Sequence, residues 1–228
     1  MTEPSIAENL QAVRARVQQA ASAAGRDPAS VLILAVSKTK PVQAIAEAYQ
    51  AGQRDFGENY AQELARKARE LGQLPDIRWH HIGHVQSNKI REIVPVAHVV
   101  HGVDRPSLVP ELERRAESTG RALEVLAEVN IAGERSKSGC PPGLLADLLT
   151  ALRNAPHLNL RGLMTMPPLD DDPEASRPYL RRLRELRDEH GGAEALPELS
   201  MGMSNDFPVA IAEGATIIRI GTAIFGAR

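Results

Sequence analysis

Helical and strand patterns alternate from one end of the 228-residue chain to the other, and that alternation leaves few folds open. Ser5 and Glu8 have the spacing of a capping box, and Ile6, Leu10, Val13 and Val17 follow at helical intervals, so the chain opens on a helix of about four turns. Eight strand-like runs come after it: VLILAVS, RDFGE, IRWHHIG, AHVVHGV, LEVLAEVN, LNLRGLMTM, ELSMGMS and TIIRIGT. Helical segments separate them: one after Pro41 closed by Gly52, one from Gln62 to Leu71, and one beginning near Ser87. LVPELERRAESTG, GLLADLLTALRNA, RPYLRRLRELRDEHGG and DFPVAIAEG follow.

Eight strands, each followed by helix or by the chain end, are the sequence of a single (β/α)8 TIM-type barrel domain over residues 1–228, with one extra helix at the front. The competing fold is a doubly wound open sheet. Strands apolar throughout suit a closed parallel sheet, and no glycine fingerprint follows the first strand. The segment MPPLDDDPEASRP, residues 166–178, carries four prolines and a run of acids and is expected as a rim loop.

A formal net charge of -2 gives no sign of a nucleic-acid or membrane partner. The basic stretch from Arg177 to Arg187 is broken by Glu185 and has Leu180, Leu183 and Leu186 as an inward stripe, so it reads as a solvated helix face. Cys140 is the only cysteine, and the start of the chain has neither a basic nor a continuous apolar region, so a cytoplasmic protein is expected.

In a barrel the functional face is where the strands end. Lys38, just past the first strand, is by itself a side chain that could simply snorkel to water; on that face it is a candidate nucleophile toward an aldehyde. The same face receives Glu58 and Asn59, His80 to His84, Asn130, Met164 and Met166. From the last two strands come Met203 and Ser204, then Arg219, Gly221 and Thr222, where barrels bind phosphate with backbone and hydroxyl groups. Arg219 lies inside an apolar run and therefore needs a partner, either a core carboxylate such as Glu58 or Glu128 or a ligand's ring nitrogen or oxygen. His80 and His81 are adjacent on a strand and point to opposite faces, and no Cys or carboxylate cluster completes a set, so no metal site is assigned.

With these motifs assembled, the chain resembles the pyridoxal phosphate homeostasis protein family, itself similar to the barrel domain of alanine racemase. The resemblance runs through AVSKTKP, DFGENYAQE, WHHIGHVQSNK, VNIAGERSKSG, GLMTM, LSMGMSNDFPVAI and IRIGTAIFG. It implies a fold-type III barrel that binds pyridoxal 5'-phosphate (PLP). Lys38 would form the Schiff base and Arg219 would face the pyridine nitrogen, with Met203, Ser204, Gly221 and Thr222 against the phosphate and Asn59 close by. Lys89 and Lys137 match further lysines of the family pattern and are candidates for secondary contacts. His81 stands where the family usually shows phenylalanine, a departure that bears on packing or pH response near the third strand.

The resemblance further implies a role in PLP homeostasis without robust turnover, with PLP-dependent apoenzymes as possible recipients. The rival is a racemase or transaminase; a two-base racemase needs a second acid/base group opposite Lys38. In related racemases that group is a tyrosine from another domain, for which 228 residues leave no room, and Tyr60 is expected at the start of the helix after the second strand. A monomer is expected on the same ground.

Overall fold

The structure is a computed structural model that describes residues 4–134 and 137–226. Its strands are β1 (Leu32–Val36), β2 (Asp55–Glu58), β3 (Arg78–His81), β4 (Val99–Val103), β5 (Leu123–Glu128), β6 (Leu158–Met164), β7 (Glu198–Ser200) and β8 (Ile217–Ile220). All neighbours pair in parallel, and β8 returns to β1 to close the barrel. The helices are α1 (Ile6–Ala23), α2 (Val42–Gln50), α3 (Ala61–Glu70), α4 (Ile90–Ile93), α5 (Val109–Thr119), α6 (Leu145–Arg153), α7 (Arg177–Glu189), α8 (Gly192–Ala195), α9 (Phe207–Ala212) and α10 (Thr222–Phe225).

The capping box forms at the head of α1: Glu8 N–H donates to Ser5 Oγ, and Ser5 N–H donates to Glu8. Its apolar stripe, Leu10, Val13, Val17 and Ala21, is buried. Asn9 donates to the Ile224 carbonyl at 3.0 Å and Arg16 lies over the Phe207 ring, so α1 covers α9 and α10 where the last strands meet the first. Two local expectations change. The helix near Ser87 is a 3-10 turn, Ser87–Lys89, followed by the single turn α4, and α8 is a short helix that no apolar period announced.

Two separate apolar layers hold the barrel. The larger lies between strands and helices; the smaller, built from Leu34, Ile82, Leu126, Met164 and Ile217 with Leu32 and Val36, fills the interior. Strand side chains alternate, so the inward set can be counted onward from these residues. Residues 32, 34 and 36 lead to Lys38; 217 leads to Arg219 and Gly221; 126 leads to Glu128. The strand period therefore delivers the polar groups to the mouth. No helix among the described residues is long and apolar enough to cross a membrane.

Candidate functional site

A cavity of about 840 Å³ opens at the ends of the strands. Lys38, Asn59, Met203, Ser204, Arg219, Gly221 and Thr222 all line it, together with His84, Glu128 and Lys137. All seven residues marked out in the sequence thus meet in one place.

Lys38 is carried by a strongly constrained turn. Ser37 N–H donates to the Gly57 carbonyl at 3.0 Å, and its hydroxyl donates to Glu58 Oε1 at 2.6 Å. Lys67, fully buried on α3, donates from Nζ to the Ser37 carbonyl at 2.6 Å and to Glu58 Oε1 at 2.7 Å, and pairs with Glu63 at 2.8 Å. Glu63 in turn accepts the Thr39 N–H at 2.8 Å. Thr39 has φ 65°, the only positive φ outside glycine among the described residues. For a β-branched residue this conformation is strained by about 1–3 kcal/mol and persists where surroundings enforce it. The residues on either side of Lys38 are thereby fixed, and Pro41 caps α2 directly afterwards.

Arg219 lies on the cavity floor and is 4% exposed. Nη1 donates to the Ser200 carbonyl at 2.7 Å and to Ser200 Oγ at 2.8 Å, and Nη2 donates to the Thr165 carbonyl at 2.9 Å. Its partners are neutral groups. Neither carboxylate considered from the sequence pairs with it, because Glu58 is taken by Lys67 and Ser37 while Glu128 Oε1 accepts from Ser138 at 2.9 Å. Burial draws the guanidinium down to about 10, against the pull of Glu128 and Asp206, so it stays charged at neutral pH. Glu128 Oε2 is buried without a partner, and burial pushes this carboxyl up to about 7.

At the last two strands the Ser204 and Thr222 hydroxyls lie 3.2 Å apart. Met203 N–H is already given to Asp206 Oδ1 at 2.7 Å, so it is not one of the free donors such a cradle could offer. Gly202 has φ 92°, and a Cβ there would stand 2.5 Å from Ala210 Cβ; only glycine makes this bend. Gly83 is as tightly fitted, since a Cβ would fall 2.2 Å from the Asn59 carbonyl oxygen. The expected rim loop is present: Met166, Pro168, Leu169, Asp170 and Asp172 border the cavity. It is tied down by Lys137 donating to the Pro167 carbonyl at 3.1 Å and Asn205 donating to the carbonyls of Asp170 and Asp171.

Lys137 borders the cavity, whereas Lys89 pairs with Glu92 at 3.1 Å and is not part of the lining. In VNIAGERSKSG, Arg135 and Ser136 lie outside the described residues. Tyr60 caps α3, more than half exposed, and also stays out of the lining. His80 and His81 are both buried but turned apart, as the strand period requires; His84 is exposed and faces Asp104. Sequence reasoning missed Lys67, His101 and Ser200. Lys67 sits in a charged helix pattern that marks a solvated face, and the other two are ordinary strand residues until the inward parity is counted.

The chain belongs to the alanine racemase N-terminal domain family, whose model matches residues 9–228. Within it, the chain is one of the pyridoxal phosphate homeostasis proteins. It is 51% identical over 225 residues to the pyridoxal phosphate homeostasis protein of Pseudomonas aeruginosa, covering 98% of this chain and 96% of that one. The protein of that name from Aquifex aeolicus is 44% identical over 223 residues, covering 97% of each chain. Among solved structures, PipY of Synechococcus elongatus PCC7942 with PLP bound superposes with TM-score 0.86 at 39% identity, over 97% of this chain and all of that one. Alanine racemase from Streptomyces coelicolor A3(2) shares the fold, with TM-score 0.71 at 20% identity, over 97% of this chain and 59% of that one.

Proposed function

We propose that the protein is a cytoplasmic PLP carrier: it holds the cofactor reversibly on Lys38 and takes part in PLP homeostasis without turning over an amino acid. The observation that carries this reading is the convergence of Lys38, a charged buried Arg219 and the Ser204/Thr222 hydroxyl pair on one cavity of about 840 Å³. The donor set fits the cofactor. PLP supplies an aldehyde that condenses reversibly with an amine, releasing water. Lys38 offers the amine on a rigid turn. Arg219 cannot readily give up a proton, so it would keep a pyridine nitrogen unprotonated. Ser204, Gly221 and Thr222 would hold the phosphate through hydroxyl and backbone groups, with Met203 against it and Asn59 close to the ring. The PLP-bound relative and the names of the curated relatives support the same cofactor.

A carrier is favoured over a racemase because none of the three tyrosines, Tyr49, Tyr60 and Tyr179, lines the cavity that holds Lys38, so the second acid/base group of a two-base racemase is not supplied by that residue type. Residues 1–228 would form a single barrel domain that acts as a monomer, with PLP-dependent apoenzymes as recipients. The lone Cys140 suits a reducing compartment.

Borohydride reduction of the PLP-loaded protein followed by peptide mass mapping tests the assignment. A pyridoxyl adduct on Lys38 that is lost in Lys38→Ala is expected; an adduct elsewhere, or none, overturns it. Incubation with single L-amino acids in deuterated water separates the carrier from the enzyme. Incorporation of α-deuterium at a turnover-like rate would remove the carrier reading.

A further inference from the structure

Polar side chains inside the barrel form a single file from Arg219 to its opposite end. Arg219 Nη1 donates to Ser200 Oγ at 2.8 Å, and Ser200 Oγ lies 2.9 Å from His101 Nδ1. His101 Nε2 lies 2.9 Å from His80 Nδ1, and His80 Nε2 lies 3.1 Å from Asp55 Oδ1. Ser200 and His101 have no solvent exposure. Asp55 and His80 border a second, small cavity of about 110 Å³ at the strand starts, beside Arg78, Glu124, Arg161 and Glu198. The file therefore joins the two ends of the barrel.

Its terminal groups fix the direction of every proton. A guanidinium only donates and a carboxylate only accepts. Ser200 Oγ accepts from Arg219, so its one hydroxyl proton goes to His101 Nδ1. His101 must then carry its proton on Nε2 and give it to His80 Nδ1. His80 likewise carries its proton on Nε2 and gives it to Asp55. Every link then holds one proton and both rings are neutral. The reversed order would leave His80 Nε2 bare against a carboxylate unless a further proton were added. Burial, with His80, Arg219 and His81 nearby, holds His101 well below the ordinary imidazole range, in keeping with a neutral ring.

We propose that Asp55, His80, His101 and Ser200 form a directional hydrogen-bond relay that positions Arg219 for the cofactor ring. Asp55 is the anchor that selects the two tautomers; these turn the Ser200 hydroxyl so that its lone pairs meet Nη1. All four are positioning residues, acting on the cofactor only through Arg219. The positioning role rests on the reading that this cavity binds PLP, whereas the tautomers do not.

Imidazole ¹⁵N NMR of the cofactor-free full chain at neutral pH reads the relay directly. His80 and His101 should both be neutral with the proton on Nε2, and Asp55→Leu should release His80 from that single tautomer. A proton on Nδ1 of either ring in the wild-type protein overturns the proposal. In the PLP-loaded protein, a remote structural residue would leave the cofactor's visible band unmoved. The relay predicts a displaced band and roughly tenfold weaker PLP binding in Asp55→Leu. An unchanged band and affinity in the folded variant overturn it. Should that variant not fold, Ser200→Ala and Ser200→Thr make the same comparison: loss in the first and recovery in the second are expected, and equal behaviour is fatal. Wild-type protein that shows both tautomers yet takes up no PLP overturns the cofactor reading instead, so the two failures are distinguishable.

Discussion

Lys67 Nζ lies 2.7 Å from Glu58 Oε1, and neither side chain has any solvent exposure. The same ammonium reaches the Ser37 carbonyl and Glu63, so its three N–H donors meet three acceptors. Through Ser37 on one side and the Glu63 to Thr39 bond on the other, a single buried cation secures both neighbours of Lys38. Burial pushes the Glu58 carboxyl upward while Lys67 and Ser37 pull it down.

Cutting that cation out should be costly. Lys67→Met leaves Glu58 buried with Oε2 already lacking a partner, and breaking one side of such a pair costs about 3–5 kcal/mol. Urea denaturation should show a loss of that size, and adding Glu58→Gln should recover part of it, since the two sites share one interaction. Simple additivity of the two changes would show that the pair is not coupled.

Glu128 sets an alkaline penalty. Its folded-state carboxyl is raised by burial from 4.5 to about 7, so the folded protein binds a proton more tightly than the unfolded chain. Stability from this group is highest at low pH and falls as pH rises from about 4.5 through about 7, by up to about 3 kcal/mol. Glu128→Gln should therefore raise the melting temperature at pH 8 and leave it nearly unchanged at pH 5. A variant less stable than wild type at pH 8 would show that the charge is compensated.

The barrel was legible because its signals are local and repeated: capping box, apolar strands, and breaks between them. That the candidate residues line one cavity follows from one geometric rule, that strand ends share a face, and the parity running from Leu34 and Val36 to Lys38 shows how the rule brings them together. What stayed hidden depends on partners far apart in the chain. Lys67 is separated from Ser37 by 30 residues and His101 from Ser200 by 99, and no spacing rule links them. Arg219 was correctly seen to need partners, yet carboxylates were considered because charge is visible in sequence, whereas the carbonyls of Ser200 and Thr165 are not.

His81 acts in the opposite pH range. Burial lowers its imidazole from 6.5 to about 4, against the Asn59 backbone bond that favours the charged form, and its Nδ1 has no partner. The unfolded chain takes up the proton first, so stability present above pH 6.5 is lost as pH falls toward 4, by up to about 3 kcal/mol. His81→Phe removes that proton uptake. Its melting temperature should fall less than wild type between pH 7 and pH 5, and parallel curves would refute the assignment.

The bend at Gly202 carries both geometry and ligand contacts. Gly202→Ala meets two costs, a positive φ of 92° and a contact 2.5 Å from Ala210 Cβ, with Phe207 Cα at 3.2 Å behind it. Gly120, at the end of α5, shares the positive φ but has open space around it, so Gly120→Ala measures the backbone cost alone, about 1 kcal/mol. Gly202→Ala should lose at least about 2 kcal/mol, because the overpacked neighbour must move as well. The displacement would also reach the site, since the Gly202 carbonyl accepts the Arg219 N–H at 2.9 Å and Met203 and Ser204 follow directly. PLP titration of the two folded variants should show weaker binding for Gly202→Ala and unchanged binding for Gly120→Ala; equal affinities would mean that the bend is structural and does not shape the cavity.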